Sequence, residues 1–343
     1  MRREQFQRYK QYLQSLYRHG SINKLINLLK VEFRLFNNNP DMQNLFPYFL
    51  VIDISNSCNL SCPLCQMGLR QHIPRKNLMT LQNYIKLIDP LKKYLFQIFL
   101  FNWSEPFLNK EIYDIIDFNT RNNIATSIST NFNVQIEPEK LMNSGLEHLI
   151  ISADGITQDV YEKYRRGGKL EKVFSNLKLL VDTKRKTGSL YPYIEWQCLV
   201  TKYNENQLSR IKQTALSKGA NEVRFANLNF YSVKNNILLQ KEWLPKNPVY
   251  NKLVHNKNSS KRKHRLRKPC FWLWRTAIVN SDGGITPCCL YDIPNWGNVH
   301  DNDFSSIWNN SLFREARQRS KNDRTLHTKV LVCDQCTAPF IYK

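Results

Sequence analysis

The 343-residue sequence has no run of about eighteen uninterrupted apolar residues, the length a bilayer-spanning helix needs, so a transmembrane anchor is not expected. It also lacks the apolar core of a secretory signal, because Met1-Arg2-Arg3-Glu4 is followed by Gln5, Gln7, Arg8, Lys10 and Gln11. A cytoplasmic, reducing location is the resulting expectation, and there clustered cysteines argue for metal binding or catalysis over disulfides. Acidic residues are scarce: 28 Asp and Glu stand against 50 Lys and Arg, a formal charge of +22. That imbalance implies attraction to something acidic, whether nucleic acid, an anionic membrane, an acidic peptide or an acidic electron-transfer protein.

What is present suffices for a large folded domain, since 42% of the residues are hydrophobic and 12% aromatic. From about Tyr48, short β-rich runs alternate with longer helical ones. The strand candidates are Phe49–Ile54, Phe96–Phe101, Ala125–Thr130, His148–Ser152, Tyr193–Val200 and Glu222–Phe225. Helical patterns lie between them at Leu81–Tyr94, Lys110–Arg121, Leu170–Lys186 and Glu205–Lys218, the order of repeated right-handed βα units on a parallel sheet. The expected class is α/β, a partial (β/α)6 TIM-like barrel; a doubly wound open sheet has the same alternation and stays open as an alternative. After Phe225 a basic, irregular stretch runs to Lys268. Thr276–Asn280, Ser281-Asp282-Gly283-Gly284 and Ile285–Cys289 then read as a hairpin with a glycine turn, followed by a helix at Ser305–Ser320. The expected organisation is a basic helical extension (1–45), the barrel (46–230), a basic linker (231–268) and a small α+β unit (269–343). This last unit is too cysteine-rich to rely on an apolar core of its own.

Directly after the first strand stands Ser57-Cys58-Asn59-Leu60-Ser61-Cys62-Pro63-Leu64-Cys65. Thiolates are the usual ligands of iron–sulfur clusters, and three on one tight loop can wrap one face of a cube while leaving one iron open. A zinc site completed by His72, or three incidental thiols, are the competing readings.

The spacing Cys58-x3-Cys62-x2-Cys65 resembles the signature of the radical S-adenosylmethionine (SAM) superfamily, and the similarity extends through the six βα units. The resemblance implies a four-iron, four-sulfur cluster whose open iron chelates the amino and carboxylate groups of SAM. It further implies reductive cleavage of SAM to a 5′-deoxyadenosyl radical that abstracts hydrogen from a substrate carbon. Side chains cannot do that chemistry, so the cofactors carry it while the protein positions and shields them. Leu64 stands where the family normally has an aromatic. Asn102-Trp103-Ser104-Glu105-Pro106 resembles the family's Gly-Gly-Glu-Pro segment, which makes Glu105 the implied partner of the methionine amino group, with Ser104 replacing the second glycine. Ser129-Thr130-Asn131 resembles the segment that contacts the ribose and carboxylate, implicating Ser129 and Asn131. Ser152-Ala153-Asp154-Gly155 and Tyr161-Glu162-Lys163-Tyr164-Arg165-Arg166-Gly167-Gly168 look like the stretch in which an arginine approaches the cofactor carboxylate; Arg165 is favoured over Arg166. Independently of the resemblance, each of these residues falls at or past the C-terminal end of a predicted strand, where parallel barrels place their chemistry. Ser129 and Asn131 also suit turn or helix-cap roles.

In the tail, Cys270-x17-Cys288 encloses Gly283, and Cys333-x2-Cys336 completes four thiolates with no open position. On its own this set suits a zinc ribbon almost as well as a cluster. It resembles the twitch subdomain, a shortened SPASM extension holding one auxiliary four-iron cluster in enzymes acting on sugars, aminocyclitols and peptides. The implied cofactors are therefore two four-iron, four-sulfur clusters and SAM, and the implied reaction is a dehydrogenation assisted by the auxiliary cluster. Cys289 and Cys198 fall outside both ligand sets and read either as ordinary buried thiols or as a hydrogen donor, which would make the enzyme an epimerase.

Two basic features remain. The N-terminal segment puts Phe6, Tyr9, Leu13, Leu16 and Tyr17 on one side and Arg2, Arg3, Lys10 and Arg18 elsewhere. Packing against the barrel, peripheral membrane contact and a transit peptide all fit that pattern. Residues 257–268 are dense in Lys, Arg and His and precede Phe271-Trp272-Leu273-Trp274. A solvated charge run is the plain reading and nucleic-acid binding the sharper one; a flavodoxin or ferredoxin-type electron donor is the more economical acidic partner.

Overall fold

The computed structural model describes residues 14–69, 78–233, 236–251, 270–289 and 294–321. Within them the six predicted runs become β1 (Phe49–Ile52), β2 (Gln97–Phe99), β3 (Ala125–Thr130), β4 (His148–Ser152), β5 (Tyr193–Val200) and β6 (Glu222–Asn227). Two more strands, β7 (Thr276–Val279) and β8 (Ile285–Thr286), complete one sheet in the order β6-β5-β4-β3-β2-β1-β7-β8. Each of β1 to β5 pairs in parallel with its successor. A doubly wound sheet reverses its strand order at a switch point. Here the order from β1 to β6 never reverses, so right-handed crossovers lay all their helices on one face, and the sheet is an open, partial barrel.

Alternation along the strands separates two faces. Ile98, Ile128, Leu149, Ile151, Ile194, Trp196 and Cys198 are wholly buried in the core shared with the helices. The alternate positions carry polar groups that bond across strands. Gln97 Nε2 donates to Ser127 Oγ at 2.7 Å, His148 Nε2 stands 3.3 Å from Glu195 Oε2, and Arg224 pairs with Glu195. The concave side of the barrel therefore sets polar side chains beside apolar ones such as Val51 and Ile150.

Helix ends follow local chemistry. Thr80 caps Leu81–Ile88 by accepting from the Asn83 N–H, and the helix stops short of the expected Tyr94 because Pro90 has no N–H to continue the ladder. The helix expected over Ser305–Ser320 divides into Phe304–Trp308 and Ser311–Lys321, because Asn310 turns to cap the second by accepting from the Phe313 N–H.

The hairpin is not a separate body. β7 joins the barrel sheet beside β1 in parallel, from Phe49↔Thr276 to Ile52↔Val279, and β8 returns antiparallel to it. Leu273, Trp274, Ala277, Val279, Ile285, Trp296, Trp308 and Phe313 belong to the same continuous core as the barrel, so the described part of the tail does rely on an apolar core. Fully buried Arg317 ties these pieces together. It donates to Leu273 O at 2.8 Å, Trp308 O at 2.7 Å and Pro40 O at 3.2 Å, with its guanidinium 4.2 Å from the Trp308 ring centre. Arg317→Ala strips three carbonyls of their donor and opens a cavity, an expected loss of about 3–5 kcal/mol in a denaturant titration.

Candidate functional site

The cysteine loop leaves the C-terminal end of β1 and is stitched to the neighbouring strand ends. Ser61 N–H donates to Arg166 O at 3.0 Å, and Asn59 Nδ2 donates to Asn133 O at 3.1 Å. Asn131, just past β3, donates from Nδ2 to Asn59 Oδ1 at 2.8 Å and lies 3.7 Å from Cys58 Sγ. Gly68 sits so close to the loop that a Cβ there would meet Cys62 O at 2.2 Å, so only glycine lets the chain fold back behind Cys62. Cys58 and Cys65 are half-buried, Cys62 is buried, and all three pack in one apolar nest with Leu60, Leu64, Tyr164 and Trp243. Burial pushes the Cys58 thiol up to about 11 and Cys62 to about 12. Thiols in that state become thiolates only when a metal supplies positive charge. Among the described residues no three His, Cys, Asp or Glu side chains converge on a single ion position. Three thiolates leave one iron of a cubane open, the ligand count that the resemblance implies. His72, the residue considered for zinc, lies outside the described residues.

Glu105 enters from the end of β2. Its own N–H donates to Ser57 O at 2.9 Å, which fixes it to the start of the cysteine loop. Its carboxylate accepts from Thr130 Oγ at 2.7 Å, Asn131 N–H at 2.7 Å and Phe107 N–H at 3.2 Å, and it is almost wholly buried. Desolvation pushes Glu105 up to about 7 despite those donors. A carboxyl in that condition is short of a cation, which is the need an α-ammonium group would meet.

Arg165 follows the helix Gln158–Tyr164 and donates from Nε to buried Asp154 Oδ2 at 2.6 Å. Its charge bears on Cys58, Cys62 and Glu105. Arg166 is exposed and contributes its carbonyl to the loop instead of its guanidinium. Ser129 lies 3.3 Å from Ser152, Oγ to Oγ, one residue before the Thr130–Glu105 contact. The structure thus brings Cys58, Cys62, Cys65, Glu105, Asn131 and Arg165 together at one end of the barrel, with Ser129 beside them.

It does not bring Cys198 there. That thiol is wholly buried in the helix-facing core, where Asn204 Nδ2 lies 3.5 Å from it. The strand alternation that turns Glu195 and Gln197 inward turns Cys198 outward. Cys270 and Cys288 lie elsewhere. Cys270 precedes a short helix, Phe271–Arg275, whose Phe271 ring stacks 6.1 Å from Phe49 at the first residue of β1. β8 runs antiparallel to β7 and carries the chain toward that same end at Cys288, with half-buried Cys289 beside it. This is the end of the sheet opposite the Cys58 loop. Cys333 and Cys336, and the basic run 257–268, lie outside the described residues.

Two residues of this site were given no role in the sequence. Asp53, one residue past β1, accepts from the Trp103 N–H at 3.1 Å and from the Ser104 hydroxyl. It clamps the Asn102–Glu105 turn where the family pattern has glycine. Asp154 receives Arg165 and the Leu199 N–H. The available signal was a lone acid directly after each strand, β1 and β4.

An open parallel barrel with three thiols and a buried carboxylate at its strand ends is the arrangement that the resemblance to iron–sulfur enzymes using SAM implies. Comparison with known proteins agrees. The Radical SAM superfamily model matches residues 52–195, and the SPASM iron–sulfur cluster-binding domain model matches residues 270–337. The tungsten-containing aldehyde ferredoxin oxidoreductase cofactor-modifying protein of Pyrococcus furiosus is 22% identical over 303 residues, 80% of this chain and 84% of that protein. Mycofactocin maturase MftC of Mycolicibacterium smegmatis is 26% identical over 179 residues, 51% of this chain and 43% of its own. Among solved structures, Streptococcus suis SuiB bound to S-adenosylmethionine superposes with a TM-score of 0.64 at 15% identity, covering 86% of this chain and 72% of that one. SuiB has also been solved with its precursor peptide SuiA, with a TM-score of 0.62 and 15% identity over 86% of this chain and 71% of that one.

The chain belongs to the radical SAM superfamily and carries a SPASM-type cluster-binding domain in its C-terminal part. Its cofactors are accordingly SAM with a four-iron, four-sulfur cluster, and auxiliary iron–sulfur binding in the SPASM part. Among the described residues no helix is long and apolar enough to cross a membrane.

Proposed function

We propose that this enzyme abstracts hydrogen from a carbon of a peptide or peptide-derived substrate and completes an oxidation with help from an auxiliary cluster. In this reading Cys58, Cys62 and Cys65 hold the catalytic cluster, while Cys270, Cys288, Cys333 and Cys336 hold the auxiliary one. The six βα units would span residues 46–230 and the auxiliary cluster-binding part 269–343, its β7–β8 hairpin continuing the barrel sheet. When bound, the cluster and SAM supply an electron and a 5′-deoxyadenosyl radical.

The protein's own residues do the rest. Glu105 receives the methionine ammonium and holds it against the loop through its Ser57 tie. Arg165, steadied by Asp154, faces the cofactor carboxylate, and Asn131 and Ser129 contact the ribose side. The concave face, with Glu195, Arg224, His148 and Gln97, receives a hydrogen-bonding substrate between the two cysteine sets. A flavodoxin or ferredoxin-type donor suits a chain of net charge +22.

The observation that carries the reading is the buried Glu105 carboxylate joined to the cysteine loop. The peptide preference leans on the names of the relatives, MftC as a maturase and SuiB with a precursor peptide. Anaerobically reconstituted protein given dithionite and SAM is expected to form 5′-deoxyadenosine. In deuterated solvent the product carbon should acquire no deuterium. Deuterium retained there would assign hydrogen return to the substrate and make the enzyme an epimerase, with Cys289 as the remaining candidate donor.

A further inference from the structure

The helix Ile22–Phe36 is built inside out. Its inward side carries two polar residues, Lys24 and Asn27, both buried, followed by Val31 and Leu35. Lys24 Nζ donates to Asn123 O at 2.6 Å, and Asn27 exchanges hydrogen bonds with the Phe46 backbone at 2.9 and 3.1 Å. Its outward side carries Ile22, Leu25, Ile26, Leu29, Phe33 and Phe36, which are 43–81% exposed. On a helix turning about 100° per residue those six positions fall within one arc of roughly 100°. Such a stripe is unlike singly scattered surface apolar residues, which need no explanation.

Its charges are one-sided. Glu32 is taken up by Arg275 at 2.6 and 2.7 Å and by the Tyr48 hydroxyl at 2.7 Å, and Lys24 is turned inward. Of the remaining ionic residues, exposed Lys30 flanks the stripe, and half-buried Arg34 lies beyond it on the same side, where its charge also acts on Asp41. The chain as a whole carries +22, so a second copy would bring like charge to this face.

Location adds the third element. The helix contacts Phe46, Tyr48, Phe96, Asn123 and Arg275, which lie just before β1, β2, β3 and β7. It crosses the floor of the barrel, at the end opposite the Cys58 loop.

We propose that Ile22–Phe36 lies in the surface of an anionic lipid bilayer, its apolar stripe among the acyl chains and Lys30 and Arg34 at the headgroups. Interfacial helices combine these two features, an apolar face and a basic flank. Docking by the floor leaves the Cys58 end open to the aqueous phase, which suits a substrate delivered from solution and not from the bilayer.

The test uses the full, cluster-reconstituted chain sedimented with phosphatidylcholine vesicles or with phosphatidylcholine–phosphatidylglycerol vesicles. Binding is expected to the anionic vesicles and to weaken with salt. The Leu25→Ser/Leu29→Ser/Phe33→Ser variant keeps every charge and should bind at least tenfold more weakly, a lower bound for the apolar area removed. Its melting temperature and 5′-deoxyadenosine formation should be unchanged, because these side chains are exposed. Vesicle binding that survives in the triple variant would mean basic charge alone and overturn the proposal, as would no binding by the wild type. A wild-type dimer that the variant turns into a monomer, without vesicle binding, would give the stripe to a second copy and overturn it equally.

Discussion

Replacing Cys58, Cys62 and Cys65 together by alanine is expected to take the reconstituted protein from about eight irons per chain to about four, with 5′-deoxyadenosine formation lost entirely. The three thiols sit in one apolar nest with the loop held by Asn59, Ser61 and Gly68, and among the described residues that nest holds no other thiol or imidazole. The variant should still fold, because the core of the barrel lies on the helix-facing side of the sheet and does not include these residues. A variant that keeps all its iron would remove this loop from the catalytic cluster and with it the proposed mechanism. Full loss of iron would instead couple the two sites, which the placement of Cys270 and Cys288 at the other end of the sheet argues against.

Glu105→Gln is expected to separate cofactor binding from stability. A buried carboxylate that loses its charge leaves the ammonium of SAM unpaired, a cost of about 3–5 kcal/mol or at least a hundredfold in Kd, measurable by equilibrium dialysis at unchanged iron content. Stability in the absence of SAM should lose a pH dependence that the wild type has. In the folded chain burial raises Glu105 from 4.5 to about 7, so the unfolded chain gives up this proton first. The fold therefore loses stability as the pH rises from about 4.5 to about 7, on the order of 3 kcal/mol for this group. Glutamine does not titrate, although its NH2 must face one of the donors that the carboxylate accepts, so urea titrations should find a variant without the wild type's fall in stability between about pH 4.5 and about 7. Equal SAM affinity in the two proteins would remove Glu105 from the cofactor site.

Much of this site could be read along the chain. The tight loop Cys58–Cys65 needs only local spacing, and the strands β3, β4 and β5 match the expected boundaries because their apolar alternation is local too. The clamping roles of Asp53 and Asp154 were not legible because an acid after a strand is ordinary until the structure shows it holding Ser104 or Arg165 across 51 or 11 residues. Cys198 illustrates the reverse case, since its position at the active-site strand was legible but its facing was not; one residue of register decides between cavity and core.

By itself the sequence determined the βα order, the three-thiol motif and the excess of basic charge, all properties of neighbouring residues or of sums over the chain. Three matters were decided only by tertiary structure. β7 joined the barrel beside β1, because Leu273, Trp274 and Trp308 found their burial against it and not among themselves. Glu105 became a site because residues from three strand ends surrounded it and excluded water. The helix Ile22–Phe36 turned its apolar side outward because the barrel floor offered the carbonyl of Asn123 and the backbone of Phe46, partners that only Lys24 and Asn27 could use. Hydrophobic pattern fixes that a helix has two faces, while the hydrogen-bonding groups of its neighbours decide which face is buried.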